Sequence, residues 1–461
     1  MTLFLREHVA LFGVILFWVV TTVVLGPAIY LILPVSVFFL WRRDLWPEML
    51  FGFLMVLILS DMSPDIMAMR GFKTAKNTYI VALACLLMLE RQRLAPLANV
   101  FTIFLPLFIY SLFPLIFSGA VLVGLQKTLS YALIFLVVPN YVLHNFRRQG
   151  WDFFRNLMLF IVVVLASQRL YMQLGPSWWS HLGGRFRGYF GNPNGLAMFS
   201  YLSFMMFTVL LHVKKDLFSF KGKLVIYAVI IYFLLQSGSR ASLMSTMIFL
   251  VFSRFFRFSP FIGFVAFIAF IAVTEVVSNN LPAIVTMLGL ESYFRLQTLT
   301  DGSGRYFAWE FAWRKINEGG FFLFGGGIGN DEYIMRQHYP YLRSMGHHGG
   351  VHNSYLTLWF DLGIVGLIIY FRGFFLIFLK ASKRAPIALA VMFSVMFSIT
   401  YESWLAGSLN PFTILLLIML TVLTEDEILH WNESEPGEED AHALEGPPVV
   451  EELPVFRPPA R

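Results

Sequence analysis

Against an otherwise apolar chain, one histidine and a few arginines have the types and spacing to do chemistry. His352 sits in the run His347-His348-Gly349-Gly350-Val351-His352-Asn353-Ser354-Tyr355. Imidazole is the side chain poised nearest neutral pH, so His352 is the candidate base. A polar helix cap, with Asn353 or Ser354 opening the next span, is an alternative compatible with catalysis. Three His within six residues also raise a metal site. Irregular spacing and the lack of Cys, Asp or Glu nearby count against that reading. His347 and His348 have no assignment. Arg240 follows Ser237-Gly238-Ser239 in a short turn between two apolar runs. A charge there is costly, at least ~2.5 kcal/mol for an arginine at mid-membrane. Snorkelling is the alternative, but it leaves the turn unexplained. The turn frees backbone N–H groups beside the guanidinium, and together they would form an anion site. Arg185, Arg187 and Gly191-Asn192-Pro193-Asn194 precede another span, Arg305 opens the stretch RYFAWEFAWRKINE, and Lys127 lies in QKTLSY at a span's outer start. For Lys127, a snorkelling interfacial lysine is an equal reading. The glycine run 325–329 lacks the GxxxxGK[ST] pattern and any βαβ context, which argues against nucleotide binding. No DxD-type acidic pair lies near the outer face, which disfavours a metal-dependent nucleotide-sugar transferase.

The elements that must position these residues follow from composition. Of 461 residues, 57% are hydrophobic, 13% are charged and 50 are Phe, with mean hydropathy +0.69. Soluble proteins average roughly 25% charged residues. A soluble enzyme, a disordered protein and a soluble nucleic-acid binder are thereby excluded, and the chain reads as an all-α polytopic membrane protein. The net charge of +6 divides unevenly: residues 425–461 carry eleven acidic residues against two Arg, so the remainder carries +15. That excess sits in short loops and reports topology rather than nucleic-acid binding. Cys85, the one cysteine, lies in an apolar run and says nothing of the redox compartment. No cleavable signal peptide is expected.

Candidate spans lie near 8–23, 25–41, 48–60, 78–90, 98–118, 121–143, 153–172, 195–213, 224–238, 241–253, 260–278, 354–379, 385–401 and 409–424. The first two read either as separate spans or as one long segment kinked at Gly26-Pro27, so the expected bundle has 12–14 helices. With a cytoplasmic N-terminus, every short basic cluster falls on one side, as the positive-inside rule expects. The outer side then receives 61–77, 173–194, 237–240, 279–353 and 402–408. The expected organisation is helices 1–11 over 1–278, a structured outer loop over 279–353, helices 12–14 over 354–424, and a disordered acidic cytoplasmic tail over 425–461. In that loop, six acidic and six Lys/Arg residues balance, so any anion site is local. Arg305–Glu318 reads as a helix, lying either on the membrane surface or as a cap on the bundle. The result is an outward-facing site with several cations, one base and aromatic walls. It suits a substrate with a lipid tail, an anionic head and a neutral polar group.

These residues resemble the O-antigen ligase and polysaccharide polymerase superfamily of bacterial inner-membrane glycosyltransferases. The matching pieces are Arg185-x-x-Gly188 with GNPN at 191–194, GSR at 238–240, Gly304-Arg305 with Trp309, GGGIGN at 325–330, and HNSYL at 352–356 with Asp361-x-Gly363. Glu402 also looks like a family position. The resemblance covers roughly residues 120–424. It implies a GT-C-like bundle in the inner membrane, with both termini cytoplasmic and a periplasmic active site. It implies an undecaprenyl-diphosphate-linked glycan donor, a hydroxyl acceptor on a growing polysaccharide or lipid A core, and no cofactor or metal. It assigns His352 as base and Arg240 and Arg305 to the diphosphate. Arg185, Arg187, Lys127, Asn192, Asn194, Asn353 and Tyr355 are then substrate-binding candidates. Other polysaccharide-assembly proteins are further candidate partners. The competing readings are a secondary transporter or lipid flippase, which would need polar residues near mid-bilayer or inverted repeats, and a non-catalytic envelope scaffold.

Overall fold

The computed structural model describes residues 2–62, 66, 69–259, 261–266, 268–270, 272, 286–287, 305–347 and 349–430. The expectation of a disordered tail therefore lies almost wholly outside the described residues, as do residues 273–278 of the eleventh span. The described chain is helical, with one two-stranded ribbon. Among the described residues, seven helical stretches are long and apolar enough to cross a membrane when Val9–Arg42, which contains a turn, is counted as one, and shorter apolar helices accompany them. The fold is an all-α polytopic bundle.

The first apolar stretch forms α1 (Val9–Leu25) and α2 (Ile29–Arg42), joined by a tight turn at Gly26–Ala28. Trp18 Nε1 donates to Ser36 Oγ at 2.8 Å, 18 residues away in sequence. In one continuous helix these residues would stand about 27 Å apart. The chain therefore doubles back at Gly26-Pro27, and the kinked single span is excluded. Next come α3 (Trp46–Ser60), α4 (Arg70–Leu89), α5 (Asn99–Tyr110), α6 (Val121–Gln149) and α7 (Trp151–Leu174). They are followed by α8 (Pro193–Val213), α9 (Phe220–Gln236) and α10 (Arg240–Phe258). The C-terminal part holds α14 (Ser354–Ser382), α15 (Ile387–Tyr401) and α16 (Pro411–Thr424).

Hydrophobic patterning sorts these helices. All of α3 and all of α16 are buried; such all-round apolar helices belong at the centre of a bundle. On α1, by contrast, Leu16, Phe17, Val20 and Val24 are exposed, as on a lipid-facing helix. Asn-Pro pairs start two of the inner helices. Asn192 accepts from Gly195 N ahead of Pro193, and Asn410 accepts from Phe412 N and Thr413 N ahead of Pro411.

The outer loop carries α11 (Arg305–Glu318), α12 (Asn330–Gln337) and α13 (Tyr339–Ser344). Ala308, Phe311, Ala312 and Ile316 of α11 join Met335, Leu342, Val351 and Phe360 in a small core of their own. One face of α11 is thus buried in that core, while Tyr306 and Trp313 stay exposed.

α14 is broken at Gly363, whose φ is 66° and ψ −177°. A break frees backbone groups that must find partners, most of all at membrane depth. The segment 322–327, which leads into and includes part of the glycine run, supplies them. Ile364 N donates to Phe322 O at 2.9 Å and Val365 N to Leu323 O at 3.3 Å, while Gly326 N and Gly327 N donate to the carbonyls of Phe360 and Asp361. The Asp361 carboxylate, 2% exposed, accepts from Gly329 N and Asp331 N at 2.8 and 2.9 Å. The glycines therefore serve backbone-to-backbone packing: a Cβ at Gly325 or Gly363 would collide with the facing main chain.

Candidate functional site

At one end of the bundle, three helix termini meet on a single carboxylate. Glu402 follows α15 directly and is 6% exposed. Its Oε1 accepts from Arg305 Nη2 at 2.7 Å and from Asn194 Nδ2 at 2.8 Å. Its Oε2 lies 3.4 Å from His352 Nδ1. Its backbone carbonyl accepts from Ser354 Oγ at 2.8 Å, stapling the start of α14 to the end of α15. Arg305 opens α11 and also lies 6.0 Å from the centre of the Tyr401 ring. A buried ion pair contributes little net stability, because desolvation offsets the attraction. Its effect here is geometric, since it orients both cation and imidazole.

His352 sits in the left-handed region with φ 52°, a conformation uncommon for a residue with a Cβ and concentrated at functional sites. With Nδ1 turned to the carboxylate, the assigned tautomer places its proton there and leaves Nε2 as acceptor. A Cβ on Gly349 would lie 2.5 Å from Nε2, so glycine at 349 keeps that atom accessible. Asn353 caps α14 by accepting from Leu356 N at 3.1 Å. The capping reading of this segment therefore holds alongside the placement of His352. His347, which the sequence left unassigned, is buried and its Nε2 contacts Gly350 O at 2.9 Å, shaping the same loop. His348 lies outside the described residues.

The arginines divide by surroundings. Arg185 stands on β2 (Arg185–Phe186), paired with β1 (His181–Leu182) around Gly183 and Gly184, both at positive φ as a tight hairpin demands. It donates from Nη2 to Asn194 Oδ1 at 2.9 Å and from Nε to Ser237 O at 2.8 Å. Arg185 thus links the Glu402 cluster to the turn that precedes α10, where Arg240 is the first helical residue and solvent-exposed. The turn itself departs from expectation. Ser237 N, Gly238 N and Ser239 N donate to Phe233 O, Leu235 O and Ser237 Oγ. These N–H groups are consumed within the turn, so it presents side chains and not a backbone nest. Arg187, 3% exposed, donates to the carbonyls of Trp178, Trp179 and Gly191; it holds its own loop together. Asn192 caps α8. Tyr355 donates to Met396 O at 3.1 Å and stacks on Phe371, which sets it between α14 and α15.

Lys127 is not in this cluster. It pairs with Glu332 at 3.1 Å and lines a separate cavity of ≈ 850 Å³ bounded by α4, α6, α12 and the start of α14. Gly349, Gly350 and Ser403 also border this cavity, so it reaches the chain segments next to His352 and Glu402. Of the acidic residues around it, burial raises the Asp331 carboxyl to about 6, against the pull of Lys127. For Glu332, burial is outweighed by Lys127 and Arg336, and its carboxyl falls below the usual range.

Sequence reasoning undervalued two features. Glu402 drew notice only as a family position, although a lone carboxylate between apolar spans 385–401 and 409–424 is itself a signal. Lys73 and Lys76 fall within the expected outer segment 61–77, but the structure places them on α4, where both line the cavity. Among the described residues, no three His, Cys, Asp or Glu side chains converge as metal ligands would.

Residues 224–371 match the family model described as O-antigen ligase. The matched segment contains Arg240, Arg305, the glycine run, His352 and Asp361. It supports the likeness to the O-antigen ligase and polymerase superfamily, and with it O-antigen ligase-type membrane glycosyltransferase activity in general terms. Together with the apolar helices, it points to a bacterial membrane protein. No curated protein matches the chain.

Proposed function

We propose that the protein transfers a glycan from an undecaprenyl-diphosphate-linked donor to a hydroxyl of a growing polysaccharide or of lipid A core, at the periplasmic face. The observation that carries this reading is the convergence of His352, Arg305 and Asn194 on buried Glu402. Both demands of such a transfer are met there. A sugar hydroxyl needs a base as it attacks, and a departing diphosphate needs its charge neutralised. In the proposed step, His352 Nε2 takes the acceptor proton. The acceptor oxygen bonds to the anomeric carbon, and the bond from that carbon to the diphosphate oxygen breaks. Its electron pair leaves with undecaprenyl diphosphate, whose charge is met by Arg305, Arg240 and Arg185. One displacement inverts the anomeric centre. Glu402 would hold the imidazole in the accepting tautomer and stabilise the imidazolium, as a carboxylate does behind a histidine base.

Complementation tests this. A strain lacking the gene receives wild type, His352→Ala, Arg240→Ala or Arg305→Ala, with membrane levels checked by blot. All three variants are expected to lose surface glycan while lipid-linked precursor accumulates outside. Loss of all attached glycan marks a ligase, and loss of only the long ladder marks a polymerase. Wild-type glycan from all three variants would remove the proposed site.

A further inference from the structure

The cavity that Lys127 lines has its own chemistry. Its cations come from three helices. Lys127 of α6 and Arg336 of α12 share Glu332, at 3.1 and 3.2 Å. Lys73 and Lys76 of α4 differ. Three residues apart, they stand on one helix face, and among the described residues neither has a carboxylate within ion-pair distance. Lys76 Nζ donates to Leu409 O at 2.7 Å, and the nearest opposing charge, the Asp61 carboxylate, acts on it from beyond ion-pair distance. Neighbouring ammonium groups in a recess repel each other, and water screens them less there than on an open surface. Of the three carboxylates that line the cavity, Asp361 has both oxygens taken by backbone N–H groups, Glu332 is held by Lys127 and Arg336, and Asp331 is buried beside them. Alongside apolar surface, the lining also carries the hydrogen-bonding side chains of Thr74, Asn77, Gln126, Ser130 and Ser408. Gly349 is also part of the lining, and His352 Nε2 lies against it.

We propose that this cavity is the acceptor subsite, and that it selects a glycan bearing an anionic group, a uronate carboxylate or a phosphate ester, which docks on Lys73 and Lys76. The proposal rests on the transferase reading, which places the donor diphosphate with the arginines. The acceptor hydroxyl then approaches Nε2 from the Gly349 side, while the donor lies beyond Glu402. The volume, ≈ 850 Å³, suits a few sugar rings, since ligand sites run to roughly 300–1,000 Å³. A charge-assisted contact to a lysine pair fixes which end of the acceptor enters first.

The test uses the full chain in lipid nanodiscs and calorimetric titration with four probes. Three are trisaccharides identical except for one sugar, which is glucose, glucuronate or glucose 6-phosphate. The fourth is undecaprenyl diphosphate. Wild type is expected to bind at least one anionic trisaccharide about tenfold more tightly than the neutral one. A preference for glucuronate alone, or for phosphate alone, names the source of the charge. The double variant Lys73→Gln/Lys76→Gln is expected to lose that preference while its Kd for undecaprenyl diphosphate stays within about twofold. Lys73→Glu, on an exposed side chain, should invert it. Equal binding of all three trisaccharides by wild type overturns the proposal. So does an intact preference in the double variant, or a tenfold loss of undecaprenyl diphosphate binding, which would make this the donor site. The transferase reading fails separately, if wild type does not bind undecaprenyl diphosphate or if Arg305→Ala leaves that binding unchanged.

Discussion

Glu402 is the residue on which the proposed chemistry turns, because it makes two demands of one carboxylate. Toward Arg305 and Asn194 it acts as a fixed acceptor, and toward His352 Nδ1 it sets the tautomer. Glu402→Gln separates the two. The amide keeps the shape and still accepts from Arg305, but it no longer stabilises an imidazolium. Turnover should fall by about 10²–10⁴-fold, the range for a compromised general base. Arg305, relieved of its partner's charge, becomes freer for a diphosphate, so donor KM should hold or fall. A rise in donor KM with kcat intact would show that Glu402 serves binding alone. Arg187 illustrates the opposite case. By residue type it belongs with the site cations, but three carbonyls of its own loop take its donors. Residue type showed that a cation stood there, and only packing showed what it does.

At the scale of elements, the decisive contact is between the glycine run 325–329 and the break in α14. A membrane helix cannot leave N–H and C=O groups open, so the break at Gly363 requires a partner, and the loop is that partner. Gly363→Ala should therefore be severe. It combines the ~1–3 kcal/mol penalty of a non-glycine residue in this glycine-only backbone region with a collision against the Leu323 carbonyl. Gly346 provides the comparison: its φ is +76° but nothing lies within 4 Å of where a Cβ would sit. Thermal unfolding in detergent should show a clearly larger loss for Gly363→Ala than for Gly346→Ala. Equal losses would mean that the interlock is not what holds this end of α14. The break also explains why Asp361 and the His352 loop, at the two ends of α14's first segment, stay in fixed relation to the cavity.

Across the whole molecule, charge separates the two ends. The basic clusters Arg147 and Arg384 meet Glu427 and Asp426 at one end, and the Glu402 cluster with the lysine cavity occupies the other. The α1–α2 hairpin makes this arrangement testable. If the chain doubles back at Gly26-Pro27, positions 24 and 43 lie on opposite sides of the membrane. In a Cys85→Ser background, Val24→Cys should react with a membrane-impermeant maleimide from outside, and Arg43→Cys only after permeabilisation. The same accessibility at both positions would contradict the hairpin and shift the sidedness of every later loop.

From sequence alone came the all-α membrane class, the long apolar helices, the gathering of basic residues in short loops, the helix at Arg305–Glu318 and the candidates His352, Arg240 and Arg305. These are legible because hydropathy, loop charge and helix period are local properties, written in consecutive residues. Tertiary structure alone decided that residues 9–42 form a hairpin, that the glycines 325–329 serve a broken helix, and that the nest before Arg240 is already filled. It also joined Asn194, Arg305, His352 and Glu402, which are up to 208 residues apart in sequence, and set Lys127 among other lysines in a separate cavity. The physical reason is common to all of these. Each depends on where a hydrogen-bonding group finds its partner once water is removed, and that partner lies on another segment of the chain.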